Sequence, residues 1–266
     1  MAFSPDYTVT EDHAVRGSTR WPGRPIAKVR FIVAHDTGNP GASARSHARW
    51  YRNDPNPPLN TVASAHLFVD DDDIIETIPA FQHPEQALHV LRNRPKDNEL
   101  YGVDANSAAI GVEYCFGGTI DADHAYDRFV WLIAYLCDFH GLDPSRDVVG
   151  HQILDPLRKT DPGQALRRSG RSYEQLLADV VEKYIACGGN QNAIGTRRQT
   201  LGTNVVTTVR LRVREAPNTR AKEVRRLDAG TRLVIKGLVK GERVSGNDDW
   251  CEIDDRQYCW SGGVQP

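Results

Sequence analysis

The apolar run Phe-Ile-Val-Ala at residues 31–34 constrains the fold more than any other stretch, because it leads directly into His35 and an Asp-Thr-Gly turn. A short, continuous apolar run bounded by turn residues is typical of a buried strand. Residues 108–115 form a second, mostly apolar stretch, which Gly117 and Gly118 close. Both runs predict strands of a buried sheet, with His35 at the rim, where ligands usually bind.

Two helices are predicted in the middle of the chain, and both carry capping residues. Asp121 caps the first, whose apolar residues recur at helical spacing until Gly141 stops it. Ser172 and Gln175 form a capping box for the second. Each helix has one apolar face that must be buried against another element.

The other N-terminal stretches are less regular. Residues 1–27 hold three prolines and several charged clusters, which predicts an extended lead-in. A short helix is expected over residues 41–52, and a hairpin with a tight acidic turn over residues 61–78. Residues 83–90 fit a short helix or a loop. Residues 91–106 are polar and long for a connection, as functional loops often are.

Residues 149–163 carry two candidate metal ligands, His151 and Asp161, on either side of Lys159. Two prolines and two glycines in this segment favour a loop over a helix. A catalytic zinc ion takes three protein ligands from imidazole, thiolate or carboxylate groups, and leaves a fourth position to water or substrate. His35, at the end of its buried strand, is the best donor of the third ligand.

The chain changes character near residue 188. Residues 188–204 are polar and contain several glycines, which predicts a linker. Beyond it, short β-type runs separated by turn residues predict a small all-β barrel. These runs cover residues 205–213, 223–227, 231–236, 243–244, 250–253 and 258–260.

Cys251 and Cys259 flank residues 254–256 symmetrically, which places them opposite each other in a hairpin with a three-residue loop. A cross-strand disulfide outside the cell and reduced thiols inside it both fit this pattern. Cys115 and Cys137 lie in apolar contexts and are interpreted as buried free thiols.

Composition argues against several functional classes. Every apolar run falls short of the ~20 residues that a membrane span needs. The polar, acidic first stretch of the chain lacks the apolar core of a secretory signal peptide. A net charge of -2 and the lack of a basic stripe interleaved with aromatics argue against a nucleic-acid partner.

Several short motifs together resemble a known family. They are Val-Ala-His-Asp-Thr-Gly at residues 33–38, Ser-Ala-His-Leu-Phe-Val-Asp at 64–70, Ile-Gly-Val-Glu at 110–113, Gly-His at 150–151 and Lys-Thr-Asp-Pro-Gly at 159–163. In order and spacing they are similar to the zinc-dependent N-acetylmuramoyl-L-alanine amidases, which share a fold with peptidoglycan recognition proteins and include many phage endolysins. The resemblance spans residues 28–186. It implies an α/β catalytic domain over residues 1–187, with a central mixed sheet flanked by helices.

The resemblance also implies one zinc ion per chain, held by His35, His151 and Asp161. It assigns Glu113 to orienting or deprotonating the attacking water, and Lys159 to stabilising the oxyanion of the tetrahedral intermediate. Two imidazoles and one carboxylate form a mixed set of donors that suits zinc with an open fourth position. A carboxylate at the end of a buried strand is costly without a task or a partner, which supports the role of Glu113.

His66 and His89 are not zinc ligands in this resemblance. For each, contact with the substrate, a hydrogen bond to a zinc ligand and a purely structural role stay open. Some family members carry a tyrosine before the histidine matched by His66, whereas this chain has Ala65, which excludes a tyrosine-assisted mechanism at that position. The remaining histidines have no motif around them and are expected at the surface: His13, His47, His83, His124 and His140.

The runs at residues 211–217, 228–231 and 249–253 resemble a bacterial Src-homology-3-like (SH3-like) domain, a module that often binds cell walls. The resemblance implies such a domain over residues 205–266. Where that family usually ends in a Gly-Trp/Tyr-Val strand, this chain has Tyr-Cys-Trp at residues 258–260. The ligand groove is therefore expected to differ.

Together the two resemblances imply a monomeric peptidoglycan hydrolase of the endolysin or autolysin type, whose partner is the bacterial cell wall. It would hydrolyse the amide between the lactyl group of N-acetylmuramic acid and L-alanine of the stem peptide. Without a signal peptide, it would reach the wall after release or by another export route. Two alternatives are a non-catalytic peptidoglycan-binding protein on the same fold and a cytosolic amidase that recycles soluble muropeptides.

Overall fold

The structure, a computed structural model, describes residues 3–92, 95–194, 203–235, 237–254 and 257–265. The chain divides into two compact units, Met1–Leu154 with Asp161–Arg197, and Asp155–Thr160 with Arg198–Pro266. Residues 195–202 of the predicted linker and residues 255–256 of the predicted hairpin loop lie outside the described residues. Within the described ranges, none of the helices combines the length and the apolar character that crossing a membrane requires.

The first unit alternates short strands with helices. Its strands are β1 (Thr10–Glu11), β2 (Phe31–Asp36), β3 (Leu67–Val69), β4 (Ile74–Glu76), β5 (Ala109–Tyr114) and β6 (Val148–Gly150). Its α-helices are α1 (Ala44–Asn53), α2 (Pro95–Tyr101), α3 (Ala105–Ala108), α4 (Ala122–His140), α5 (His151–Leu154), α6 (Gly163–Arg168) and α7 (Tyr173–Ala186).

The strands of this unit form one six-stranded sheet with the order β1-β4-β3-β5-β2-β6. β3 and β4 pair antiparallel, which confirms the predicted hairpin. The other neighbouring strands pair in parallel. The predicted α/β class with a central mixed sheet is therefore confirmed for this unit.

The predicted caps of the two long helices are confirmed. The carboxylate of Asp121 accepts two N–H groups in the first turn of α4, and Gly141 ends that helix in the left-handed region, with a φ of 64°. The hydroxyl of Ser172 accepts the N–H of Gln175 at the start of α7. Pairing these groups, which lack partners within the helix, fixes where each helix begins and ends.

The two faces of the sheet are covered by different helices. Leu67 and Val69 of β3 join the hydrophobic cluster that contains residues of α4 and α7, whereas Phe68 between them joins the cluster of α1. Side chains alternate along a strand, so the two clusters lie on opposite faces. His35, Glu113 and Phe68 occupy paired positions on β2, β5 and β3. These three side chains therefore share the face that α1 covers.

Two stretches contain helix where the sequence pattern predicts loop, and that part of the prediction is wrong. Residues 91–106 hold α2 and α3. The carboxylate of Asp97 accepts the N–H of Ala105 at 2.8 Å and ties these short helices together, a contact that no local pattern reveals. His151–Leu154 forms one helical turn. Pro156 lies beyond this turn, so it limits the length of the helix without preventing it.

The lead-in before β2 is largely irregular, as predicted, and it is firmly packed. Arg20 is buried, and its guanidinium carbon lies 4.1 Å from the ring centroid of Trp50. The same guanidinium donates to the carbonyl oxygen of Ala63 at 2.7 Å and to the carboxylate of Asp54 at 2.8 Å. These contacts fasten the lead-in to α1 and to the loop that follows it.

The described strands of the second unit form two antiparallel sheets. They are β7 (Thr203–Thr207), β8 (Leu211–Arg214), β9 (Glu223–Leu227), β10 (Arg232–Ile235), β11 (Gly237–Val244), β12 (Asn247–Asp254), β13 (Gln257–Trp260) and β14 (Val264–Gln265). The orders are β10-β7-β14 and β11-β12-β13-β8-β9. This arrangement is compatible with the predicted all-β domain. The predicted run over residues 205–213 is divided between β7 and β8.

The cysteines match the sequence expectations that the structure can address. Cys251 and Cys259 occupy paired positions on β12 and β13, so they lie opposite each other as predicted. Both are buried free thiols, as are Cys115 and Cys137.

Candidate metal centre

The three predicted zinc ligands lie at one edge of the sheet, although they come from distant parts of the chain. His35 is the last residue but one of β2, and His151 directly follows β6 as the first residue of α5. Asp161 lies two residues before α6. Because β2 and β6 are parallel neighbours, their carboxyl ends meet at the same edge.

The side chains of these residues converge. Asp161 Oδ2 lies 2.9 Å from His35 Nδ1 and 3.0 Å from His151 Nδ1. All three residues are buried, with exposed fractions of 2%, 2% and 8% for His35, His151 and Asp161. In a tetrahedral zinc site with bonds of about 2.0–2.1 Å, ligand atoms stand about 3.3–3.4 Å apart. The oxygen of Asp161 therefore needs to move only slightly from each nitrogen, all three ligand atoms lie within 4.8 Å of one another, and their donor chemistry fits zinc.

Asp161 is held in its ionised form. Burial raises its pKa, but hydrogen bonds from His151 and His35 outweigh burial and bring the pKa well below the usual range for a carboxyl group. An ionised carboxylate between two imidazoles is prepared for a cation, because it needs to lose no proton when the cation binds.

Asp36, the residue after His35, connects two of the ligand segments. Its Oδ2 accepts the N–H of Gln164 at 2.8 Å and that of Ala165 at 3.2 Å, at the start of α6. Burial and the nearby charge of Asp161 raise the pKa of Asp36 to about 6. The local sequence does not predict this bridge, since only the fold brings the end of β2 to the start of α6.

Gly150 allows the close approach that places His151. Its N–H donates to the hydroxyl of Tyr173 at 2.8 Å. A Cβ at this position would lie 2.9 Å from Cε2 of Tyr173 and 3.1 Å from Cδ of Pro162. Both distances are shorter than an ordinary carbon contact of about 3.5–4.0 Å. A side chain here would therefore press α7 and the segment that carries Asp161 apart.

Glu113 lies beside His35, at the paired position on β5. Tyr51 of α1 is close to its charge: burial raises the pKa of the tyrosine, and the carboxylate of Glu113 raises it further. The structure thus brings Glu113 to the same face and the same edge of the sheet as the candidate ligands. Its part in catalysis stays a prediction.

Lys159 is half-buried and belongs to the segment Asp155–Thr160, which is grouped with the second unit. Its N–H donates to the carbonyl oxygen of Asp155 at 2.8 Å. Lys159 is therefore related to the ligands here only by its position in the chain, two residues before Asp161. Its role at the oxyanion stays a prediction.

His66 is fully buried, and both of its ring nitrogens are engaged within the protein. Nδ1 accepts the N–H of Gly111 at 2.9 Å, and Nε2 donates to the carbonyl oxygen of Glu85 at 2.9 Å. Burial lowers the pKa of His66 to about 3, so the ring is neutral. These contacts connect β5 to the loop that contains Glu85, which is a structural role. A contact of His66 with substrate stays a prediction.

His89 reaches the candidate ligands from a separate loop. Its Nδ1 lies 3.0 Å from Nε2 of His35, and it is buried, with an exposed fraction of 8%. The expectation of a surface position fails for another histidine, His47. That residue is buried, and its ring stacks on Phe68 with the centroids 4.8 Å apart.

A protein-family model described as N-acetylmuramoyl-L-alanine amidase matches residues 25–164, which is more than half of the chain. This chain belongs to that family. The match contains all three candidate ligands together with Glu113 and Lys159. The fold and the convergence of the ligands are thus found in the part of the chain that the amidase family shares.

One named amidase and two solved structures are similar to this chain. The chain is 34% identical over 137 residues to N-acetylmuramoyl-L-alanine amidase BlyA of Bacillus subtilis (strain 168). The aligned segment covers 49% of this chain and 36% of BlyA. The chain therefore spans much less than the full length of that relative. The solved catalytic domain of XlyA is 26% identical, with a TM-score of 0.52, over 65% of this chain and 99% of that domain. A mutant endolysin from Bacillus subtilis is also 26% identical, with a TM-score of 0.51, over 65% of this chain and 98% of the endolysin.

Proposed function

We propose that this chain is a zinc-dependent peptidoglycan hydrolase that cleaves the amide bond between N-acetylmuramic acid and L-alanine of the stem peptide. The observation that carries the proposal is the convergence of His35, His151 and Asp161 inside the segment matched by the amidase family. Three buried donors of this kind suit a catalytic zinc site with one position left for water or substrate. The endolysin among the similar structures supports a lytic role.

The residues around the ligands suggest how the reaction runs. When bound, zinc supplies Lewis acidity, which polarises a carbonyl oxygen and acidifies water. Glu113, beside His35 on the same face, accepts the proton of the attacking water and passes it to the leaving amine. Lys159 stabilises the negative charge that develops on the carbonyl oxygen, an effect typically worth about 3 kcal/mol. Asp36 keeps two of the ligand segments together.

The second unit is proposed to be the SH3-like module, which binds the cell wall. Its two antiparallel sheets are compatible with such a barrel. Binding to the wall raises the local concentration of substrate at the catalytic unit. The protein is proposed to act as a monomer on the wall, after release or export.

Digestion of purified sacculi tests the proposal directly. The chain should release new L-alanine amino groups without new reducing sugar ends. Glu113→Gln should keep its zinc and lose activity by about 10²-fold or more, because a general base is removed. Exposed Glu182 on α7 offers the matched control, since Glu182→Gln makes the same chemical change away from the sheet edge.

Each remaining outcome points to a different conclusion. A chain that sediments with sacculi but releases no amino groups is the non-catalytic binding protein. A chain that cleaves soluble muropeptides but not sacculi is the recycling amidase. If Glu113→Gln clears walls at the parent rate, Glu113 is structural and the proposed base is wrong.

A further inference from the structure

His89 is placed to control which nitrogen of His35 faces the metal. The ring of His35 is shared between two partners: Nδ1 lies 2.9 Å from Asp161 Oδ2, and Nε2 lies 3.0 Å from Nδ1 of His89. The two imidazole rings are nearly perpendicular, at 85°, with their centroids 5.2 Å apart. One side of His35 thus faces the candidate ligands, and Nε2 on the other side contacts His89.

The protonation of His35 follows from this arrangement. A histidine binds a metal through a nitrogen that carries no hydrogen, so the neutral ring must hold its hydrogen on the other nitrogen. If Nδ1 of His35 faces the metal, Nε2 carries the hydrogen and donates it to Nδ1 of His89. His89 must then carry its own hydrogen on Nε2.

The surroundings hold the ring of His89 in place. The side-chain oxygen of Asn106 accepts the N–H groups of His89 and Val90 at 2.9 and 3.0 Å, and the amide nitrogen of Asn106 donates to the carbonyl oxygen of Val90 at 2.7 Å. Below the ring lies Gly111 of β5, where a Cβ would approach Cγ and Nδ1 of His89 to 2.7 Å. The loop is thus clamped, and the sheet leaves room for the ring only because residue 111 is glycine.

The position of His89 has an energetic disadvantage. Its Nε2 is buried and makes no hydrogen bond of good geometry among the described residues, and the ring has only a weaker interaction with the backbone of Ala109. A buried polar group without a partner destabilises the folded state, whereas an apolar side chain of similar size would avoid that penalty. A histidine at this position is therefore poorly explained by packing and well explained by its contact with His35.

We propose that His89 is a positioning residue, which accepts the Nε2–H of His35 and so presents Nδ1 of His35 to zinc. The inference rests on the proposed zinc site and adds a residue that acts through a ligand. Hydrogen-bond partners of this kind fix the orientation of a ligating histidine and typically contribute about 10–100-fold in metal affinity.

Two substitutions of His89 separate positioning from packing. His89→Leu removes the acceptor, and His89→Asn keeps an acceptor oxygen close to the position of Nδ1. Zinc affinity of the full chain, measured by competition with a chromogenic chelator, should fall about 10–100-fold in the leucine variant and clearly less in the asparagine variant. The control is His83→Leu in the same loop, because His83 is exposed. It should bind zinc with the parent affinity.

Thermal unfolding of the metal-free variants gives an independent readout. In the metal-free chain Nδ1 of His35 donates to Asp161, so Nε2 of His35 accepts from His89. His89→Leu removes one poorly paired buried nitrogen and also leaves Nε2 of His35 without this partner, so the two effects oppose each other. The thermal midpoint of the metal-free protein should therefore change little while zinc affinity falls. A structural role predicts the reverse: a lower midpoint with zinc affinity unchanged, which would overturn the proposal.

Nitrogen-15 NMR of the wild-type histidines decides the question even if a variant does not fold. In the zinc-loaded chain, His35 should carry its hydrogen on Nε2. If the hydrogen is on Nδ1, the proposal is wrong although the zinc site stands. If the wild-type chain binds no zinc at all, both the proposed function and this inference are wrong. Zinc binding by the wild-type chain therefore distinguishes a failure of the inference alone from a failure of the proposed function.

Discussion

The buried ring of His66 predicts a specific loss of stability in acid. Burial lowers its pKa to about 3, whereas an imidazole in an unfolded chain titrates near a pKa of about 6.5. Between these values the unfolded chain binds one more proton than the folded chain. Stability therefore falls as the pH falls through this window, by about 1.4 kcal/mol per pH unit once the unfolded ring is fully protonated.

The size of the effect follows from that difference in proton binding. Between about pH 7.5 and about pH 5, protonation of His66 in the unfolded chain should remove about 2 kcal/mol from the free energy of unfolding. Glutamine does not titrate, so His66→Gln should lose this pH dependence. The variant also loses packing and one of the hydrogen bonds to Gly111 or Glu85, but that cost is nearly the same at both pH values.

Urea denaturation of the metal-free wild type and variant at the two pH values provides the measurement. The stability difference between them should shrink by about 2 kcal/mol on acidification. His83→Gln is the matched control, because that histidine is exposed. If the difference for His66→Gln is the same at both pH values, the ring is not held neutral by burial, and the reasoning from its contacts is wrong.

Zinc analysis should find one ion per chain, and none in the His35→Ala, His151→Ala double variant. Stoichiometric zinc in that variant would refute the ligand assignment. Gly150→Ala should lower the free energy of unfolding because the added Cβ crowds Tyr173 of α7. The expected loss is about 1–3 kcal/mol, the usual cost of overpacking. An unchanged urea midpoint would contradict the contact geometry. A chain ending at Gly189 should cleave soluble muropeptides but bind walls poorly, while residues 203–266 alone should sediment with walls and hydrolyse nothing. Parent-level sedimentation of the shortened chain would contradict the anchoring role.

The elements with strong local signals were predictable from sequence. Asp121 and Gly141 bound α4, and Ser172 begins α7, because capping groups act on backbone atoms within a few residues. The buried strands β2 and β5 were also predictable from local sequence, because each contains a short, largely apolar run. His35 was identified as a candidate ligand because it ends such a run.

The features that depend on distant contacts were not predictable. Asp36 stabilises the start of α6 from the end of β2, and Asp97 ties α2 to α3. His47 has no motif and still packs its ring on Phe68. In each case the partner is identified only when the sheet and its helices are in place, so the local sequence carries no signal of it.

The separation of the ligands along the chain makes metal binding depend on the completed fold. His35 and Asp161 are 126 positions apart, and His35 meets His151 only when β2 and β6 are side by side. A chain that has not completed its central sheet cannot offer all three donors to one ion. Metal loading would therefore count correctly folded molecules in a preparation, independently of whether any substrate is present.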